Sequence, residues 1–99
     1  METFGKKIRR LREEQGIYLR QVASFLEIDQ ALLSKIERGE RKAKRDHVIK
    51  LAHFYKLNKK EFLTSWMSDK VVYDLDSENN AIEILKLAEE KIKYKRNLR

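Results

Sequence analysis

Cysteine and proline are absent from the 99 residues, and glycine occurs three times. Without cysteine there is no disulfide framework, no thiolate metal site and no thiol nucleophile. With so few backbone breakers the chain is expected to run in long helices, an all-α architecture, and not in the turn-rich strands of a sandwich or barrel. Long apolar runs are missing too. The longest, such as Ala31–Leu33, span three residues, against the ~20 that a membrane span needs. The start METFGKK has no apolar stretch of the signal-peptide kind, so the expected address is the cytoplasm.

Charge is plentiful: 39% of residues are charged and 23 Lys and Arg against 16 Asp and Glu leave +7. A chain this short holds one modest core, and a basic surplus of that size favours a polyanionic partner, nucleic acid above all. The surplus is uneven. Residues 1–57 carry 14 basic and 8 acidic side chains, and residues 58–99 carry 9 and 8. Within the second part, 69–90 holds 2 basic and 7 acidic residues, whereas 91–99 holds 5 basic and none acidic.

Periodicity predicts six helices. Phe4, Ile8 and Leu11 form an amphipathic stripe over about 3–15, with Thr3 as N-cap and Gly16 as stop. Val22, Ala23 and Leu26 give a short second helix, about 19–26. Asp29 caps a third over Gln30–Glu37 whose buried side is Leu33 and Ile36, with Gly39 at its C-terminus. The basic loop Glu40–Arg45 leads to a fourth, about 45–56, marked by Val48, Ile49, Leu51, Ala52 and Tyr55. Asn58 caps a fifth from about 59, carrying Phe62, Leu63, Trp66 and Met67; Val71, Val72 and Tyr73 are strand formers, yet nothing breaks the helical pattern before Asp74. Asp76 or Ser77 caps a sixth, about 78–95, with a heptad-like seam of Ala81, Leu85, Ala88 and Ile92 widened by Ile84 and Leu87. That seam is buried either against the fifth helix of its own chain or across a dimer.

Two short helices joined by a tight turn, with basic residues after the second, outline a DNA-binding helix-turn-helix. The run LRQVASFLEIDQALLSKIERGERKAK, preceded by FGKKIRRLREEQGI and followed by VIKLAHFY, closely resembles the Cro and phage-repressor-like class, the XRE family, over roughly residues 4–64. The resemblance implies a five-helix lambda-repressor-like DNA-binding domain at 1–65, with a C-terminal helical extension at 66–99 that serves dimerisation. It also implies that Arg12 and Glu37 pair, holding the first helix against the end of the recognition helix. The groove-facing positions of the family correspond to Gln30, Ala31, Ser34 and Lys35, with Leu32 beside them. Gln30 suits adenine, Lys35 suits guanine acceptors or a phosphate, and Ala31 or Leu32 suits a thymine methyl. A merely solvated helix face would show the same polar residues. Arg38, Arg41, Lys42, Lys44 and Arg45 fall where flanking cations lie over phosphates and fix register without reading sequence.

Four positions depart from the family pattern. Tyr18 and Leu19 stand where Ser or Thr followed by Gln is common, leaving Arg20 or Gln21 to substitute at the phosphate. Glu27 replaces a common turn glycine, at a cost of roughly 1 kcal/mol if the backbone is left-handed there. Ala43 replaces a common proline.

His47 and His53 are six apart and share no helix face, so no metal site is expected. The glycines are too scattered for a phosphate-cradling loop, so no cofactor and no enzymatic activity are expected. The expected function is a bacterial or phage-type transcriptional regulator, such as a repressor. It binds double-stranded DNA as a homodimer on a near-palindromic operator, with Phe62, Trp66, Met67, Leu85 and Ile92 as candidate dimer anchors. The extension resembles those of small controllers of restriction-modification systems. A toxin–antitoxin repressor with a toxin partner is a comparable reading, and a helix-turn-helix protein-interaction module is the rival from another class.

Overall fold

A computed structural model describes residues 1–98, and these form six α-helices with no strand among them. Arg99, the last cation of the basic tail, lies outside the described residues. The first compact unit runs from Met1 to Asp69 and the second begins at Lys70.

Helix α1 (Phe4–Glu14) opens at Thr3, whose hydroxyl accepts from the Lys6 N–H at 3.2 Å, and gives way at Gly16, left-handed at φ 65°. Helix α2 (Leu19–Leu26) ends at Glu27, and α3 (Gln30–Glu37) begins after Asp29. Helix α4 (Arg45–Phe54) stops two residues short of the expected end. Tyr55 is its C-cap, Lys56 turns left-handed at φ 56°, and the Leu57 N–H reaches back to the Ala52 carbonyl at 2.9 Å, so the last carbonyls are satisfied by a closing turn.

Helix α5 (Lys59–Leu75) starts at Asn58, whose side-chain carbonyl accepts from the Glu61 N–H at 3.1 Å. It runs through Val71, Val72 and Tyr73. The strand propensity of three residues is worth tenths of a kcal/mol each and does not interrupt a ladder already in progress. Helix α6 (Ala81–Asn97) starts later than the sequence suggests. Asp76 and Ser77 lie in the turn, where the Glu78 N–H donates to the Leu75 carbonyl, and Asn80 occupies the cap position without a side-chain cap bond.

The core of the first unit gathers one face from each of its helices: Phe4 and Ile8, Val22, Ala23 and Leu26, Leu33 and Ile36, Val48, Leu51 and Ala52, then Phe62 and Trp66. Phe4 and Phe62 meet edge to face, ring centroids 5.7 Å apart. The Phe4 N–H, an open donor at the start of α1, donates to the Asp69 carboxylate at 2.7 Å, tying that helix end to α5. Gly5 lets α1 sit directly on the C-terminal end of α3: a Cβ there would lie 2.5 Å from the Ile36 carbonyl oxygen. In the second unit, which comprises the end of α5, the turn and α6, no residue of α6 is buried.

Candidate nucleic-acid interface

The turn between α2 and α3 is Glu27, Ile28 and Asp29, and the first and last of these shape it. Glu27 adopts φ 57°, ψ 42°, in the left-handed region that glycine favours, and closes α2 through its N–H to the Ser24 carbonyl at 3.1 Å. Asp29 is extended, and its Oδ1 accepts from the Ala31 N–H at 3.1 Å, giving α3 its first satisfied donor. Leu33, Ile36 and Glu37 point inward. At 100° per residue the opposite side of α3 carries Ala31 and Lys35 with Ser34 at its flank, continued by Arg38 at the C-cap, and Gln30 stands at the first residue of the helix. Gln30, Ala31, Lys35 and Arg38 are exposed and Ser34 half-exposed. Leu32 packs on the edge of the core, so it offers only part of its surface.

Glu37 is the one buried charged residue of the described chain, 5% exposed. Arg12 meets it with two bonds, Nε to Oε2 at 2.9 Å and Nη2 to Oε1 at 3.0 Å, and gives a third from Nη1 to the Ile17 carbonyl at 3.1 Å. The fork matches the carboxylate plane, which is why arginine and not lysine suits the position. The Glu37 carboxylate holds the Arg12 guanidinium above its ordinary pKa. Tyr55 lies in the same interior. Its hydroxyl has no hydrogen-bond partner among the described residues, and burial, helped by the Glu37 charge, pushes its pKa up to about 12. Helix α3 is thus locked at its far end by Arg12 from α1 and, through Gly5, by close backbone approach.

Beyond α3 the chain turns at Gly39, φ 78°, into a loop whose cations are Arg38, Arg41, Lys42, Lys44 and Arg45, with Glu40 its one acid. All five cations are exposed. Arg38 is held by Glu40 at 3.0 Å. The loop is fastened at its middle: Ala43 is buried, and its carbonyl accepts from the Trp66 indole N–H at 3.0 Å. The Arg45 guanidinium lies over the Trp66 ring, 5.6 Å from its centroid. On α1, Arg9 meets Glu13 and Arg10 meets Glu2 and Glu14.

At the start of α2 the Gln21 carboxamide oxygen accepts from the Tyr18 N–H at 2.8 Å, so the chain provides half of a capping box without the usual Ser or Thr. That leaves the amide N–H groups of Gln21 for an anion. The Arg20 guanidinium lies over the exposed Tyr18 ring, 4.5 Å from its centroid, so a surface aromatic presets its direction.

Two of the candidate dimer anchors are corrected here. Phe62 is fully buried and Trp66 is 7% exposed, both inside the core of their own unit, so neither is available to a second chain. Met67, Leu85 and Ile92 are 43%, 40% and 52% exposed. The roles of Gly5, Asp69 and the Trp66–Ala43 bond escaped the sequence reading. Only Gly5 left a signal, an isolated glycine inside an otherwise helical stripe. Among the described residues no group of three or more His, Cys, Asp or Glu side chains is placed to hold a metal ion, and no helix is long and apolar enough to cross a membrane.

Neither curated proteins nor solved structures give a match to the chain. A family model described as a helix-turn-helix domain does match, over residues 5–65. That stretch takes in the α2–α3 pair, the α1 brace, the cationic loop and the first turns of α5, and it is most of the chain. This protein belongs to the helix-turn-helix domain family.

Proposed function

We propose that the protein is a sequence-specific DNA-binding transcriptional regulator of the XRE class, which works as a homodimer on a near-palindromic operator. The observation that carries the reading is the outward face of α3. Ala31, Ser34 and Lys35 stand on a helix whose other side is sealed by Leu33, Ile36 and the Arg12–Glu37 pair, and Gln30 is exposed at its first residue. An α-helix fits the B-DNA major groove, and those residue types match the edges displayed there. Arg20 and Gln21 at the start of α2, and the cations of the Ala43-anchored loop, flank that face where phosphates would pass. In a dimer two such faces meet successive grooves about 34 Å apart, which is why the operator is a near-palindrome.

The test is selection of bound sequences from a random duplex pool at fixed salt, with a Gln30→Ala, Lys35→Ala double variant alongside. The expected result is a palindromic site that the wild type enriches and the double variant does not. A wild type that enriches nothing overturns the reading. Binding should also fall steeply with salt, because each neutralised phosphate releases counterions; a flat salt titration counts equally against it.

Within this function the gene's neighbours distinguish two narrower roles. A methyltransferase gene beside it marks a restriction-modification controller, and a small toxin gene marks an antitoxin repressor.

A further inference from the structure

Four cations, Arg41, Lys42, Lys44 and Arg45, crowd the loop after α3, and all are exposed. Like charges so close repel one another, and a loop left free in water would spread them. This loop is tied at both ends and in the middle. At its start the Glu40 and Arg41 N–H groups donate to the Lys35 carbonyl at 2.8 and 3.4 Å, and at its end the Lys44 carbonyl accepts from the Val48 N–H at 3.1 Å. Between these ties the Ala43 carbonyl accepts from the Trp66 indole N–H at 3.0 Å.

The middle tie comes from far along the chain. Trp66 stands halfway down α5, 23 residues from Ala43, in the same compact unit as the loop. It lies just past the residues that match the helix-turn-helix family. Both partners are buried, so neither can trade the other for water without loss. The Arg45 guanidinium lies over the same indole ring, 5.6 Å from its centroid. Trp66 therefore fixes the loop's backbone at one residue and directs a cation two residues on. Consecutive Cα atoms are about 3.8 Å apart, so pinning Ala43 also confines Lys42 and Lys44 on either side of it.

We propose that Trp66 is a positioning residue for phosphate binding. Without meeting the duplex, it holds Arg41, Lys42, Lys44 and Arg45 in the arrangement that the phosphates require, so order that binding would otherwise have to impose is already present. This rests on the DNA-binding reading above and adds to it a residue of α5 on which affinity depends.

The full-length protein is titrated with a labelled duplex of mixed sequence, since phosphate contacts carry no sequence information, over a range of salt concentrations. Trp66→Phe keeps a buried aromatic ring and removes the N–H, and circular dichroism during urea unfolding follows its fold separately. Each neutralised phosphate contributes about 0.9 to the slope of log K against log salt, so losing one loop contact should make the slope shallower by about one and lower affinity about tenfold near 0.1 M salt. The same replacement is then made in a chain carrying Arg41→Gln, Lys42→Gln, Lys44→Gln and Arg45→Gln. There it should change duplex affinity less than about twofold, because no cation remains for Ala43 to place. An equal drop in both backgrounds shows that Trp66 supports the fold as a whole and overturns the proposal. A folded Trp66→Phe protein with wild-type affinity and slope also overturns it, while the DNA-binding reading stands. A wild type that does not bind the duplex overturns both.

A second readout needs no variant. Trp66 is the only tryptophan, so the single indole N–H resonance reports the tie directly. Its exchange with solvent should be as slow in the duplex complex as in the free protein, or slower. Faster exchange in the complex means that the tie opens on binding, and refutes the assignment.

Discussion

Gly5→Ala sets two effects of opposite sign against each other. In the interior of an exposed helix the change normally stabilises by about 1 kcal/mol, because alanine has less backbone freedom to lose. Here the added Cβ would lie 2.5 Å from the Ile36 carbonyl oxygen and 2.7 Å from that of Glu37, where ordinary contact begins at 3.4 Å. Both obstacles are backbone, so relief requires moving α1 away from α3 by about 1 Å. Overpacking of this kind costs about 1–3 kcal/mol, and the immobility of the obstacle argues for the upper end. The displacement would also stretch the 2.9 and 3.0 Å bonds between Arg12 and Glu37, which span the same two helices. The expected net effect is a loss of about 2 kcal/mol, equivalent to a fall in Tm of roughly 10 °C for a domain of this size. Trp66 is the only tryptophan, buried in the same core, so its fluorescence during urea unfolding follows the relevant transition. A midpoint that is unchanged or raised at constant m would refute the argument, since propensity alone predicts that result.

Three further outcomes concern the buried pair, the neighbouring Tyr55 and the turn between α2 and α3. Glu37→Gln should cost about 3 kcal/mol, because Arg12 is left without its counter-charge, whereas the double replacement Arg12→Met, Glu37→Leu should recover most of the loss; equal losses in urea unfolding would show that charge is not the issue. The Tyr55 hydroxyl is raised to about 12 in the folded chain from an ordinary 10, so the folded state holds that proton more tightly, and stability falls as pH rises from about 10 through about 12. Tyr55→Phe removes a buried hydroxyl without a partner and should be neutral or slightly stabilising at pH 7; its unfolding midpoint should then fall less steeply than that of the wild type across the alkaline window, and parallel curves would count against the assignment. Glu27→Gly should stabilise by about 1 kcal/mol, since the residue sits at φ 57° and glycine has no Cβ to strain there; a destabilised variant would mean that the Glu27 side chain contributes more than its backbone costs.

The elements around α3 are legible in the sequence because their signals are local. Asp29 as a cap and the Leu33–Ile36 spacing need no knowledge of the rest of the chain, and α2 and α3 fall at the residues that the periodicity gives. The start of α6 was misplaced for an equally local reason. Asp76 and Ser77 are good capping residues, but Leu75, Glu78 and Ala81 form successive turn bonds that delay the helix to Ala81. The capping preference is worth about 1 kcal/mol, which the turn geometry overrides.

Phe62 and Trp66 show where a sequence signal stops. Their spacing marks an apolar helix face, and such a face reads the same whether its cover is another chain or its own. What separates the cases is the far partner: Phe4 against the Phe62 ring, 58 residues away in sequence, and the Ala43 carbonyl against the Trp66 indole N–H, 23 residues away. Neither contact leaves a periodic trace. Met67, one residue on, is 43% exposed, so the fifth helix divides its apolar residues between a filled interior and an exposed surface. The cation loop depends on that division. Because Trp66 is turned inward, it can hold Ala43 and underlie Arg45, and a Trp66 given to a dimer contact would leave the loop beside α3 without its anchor.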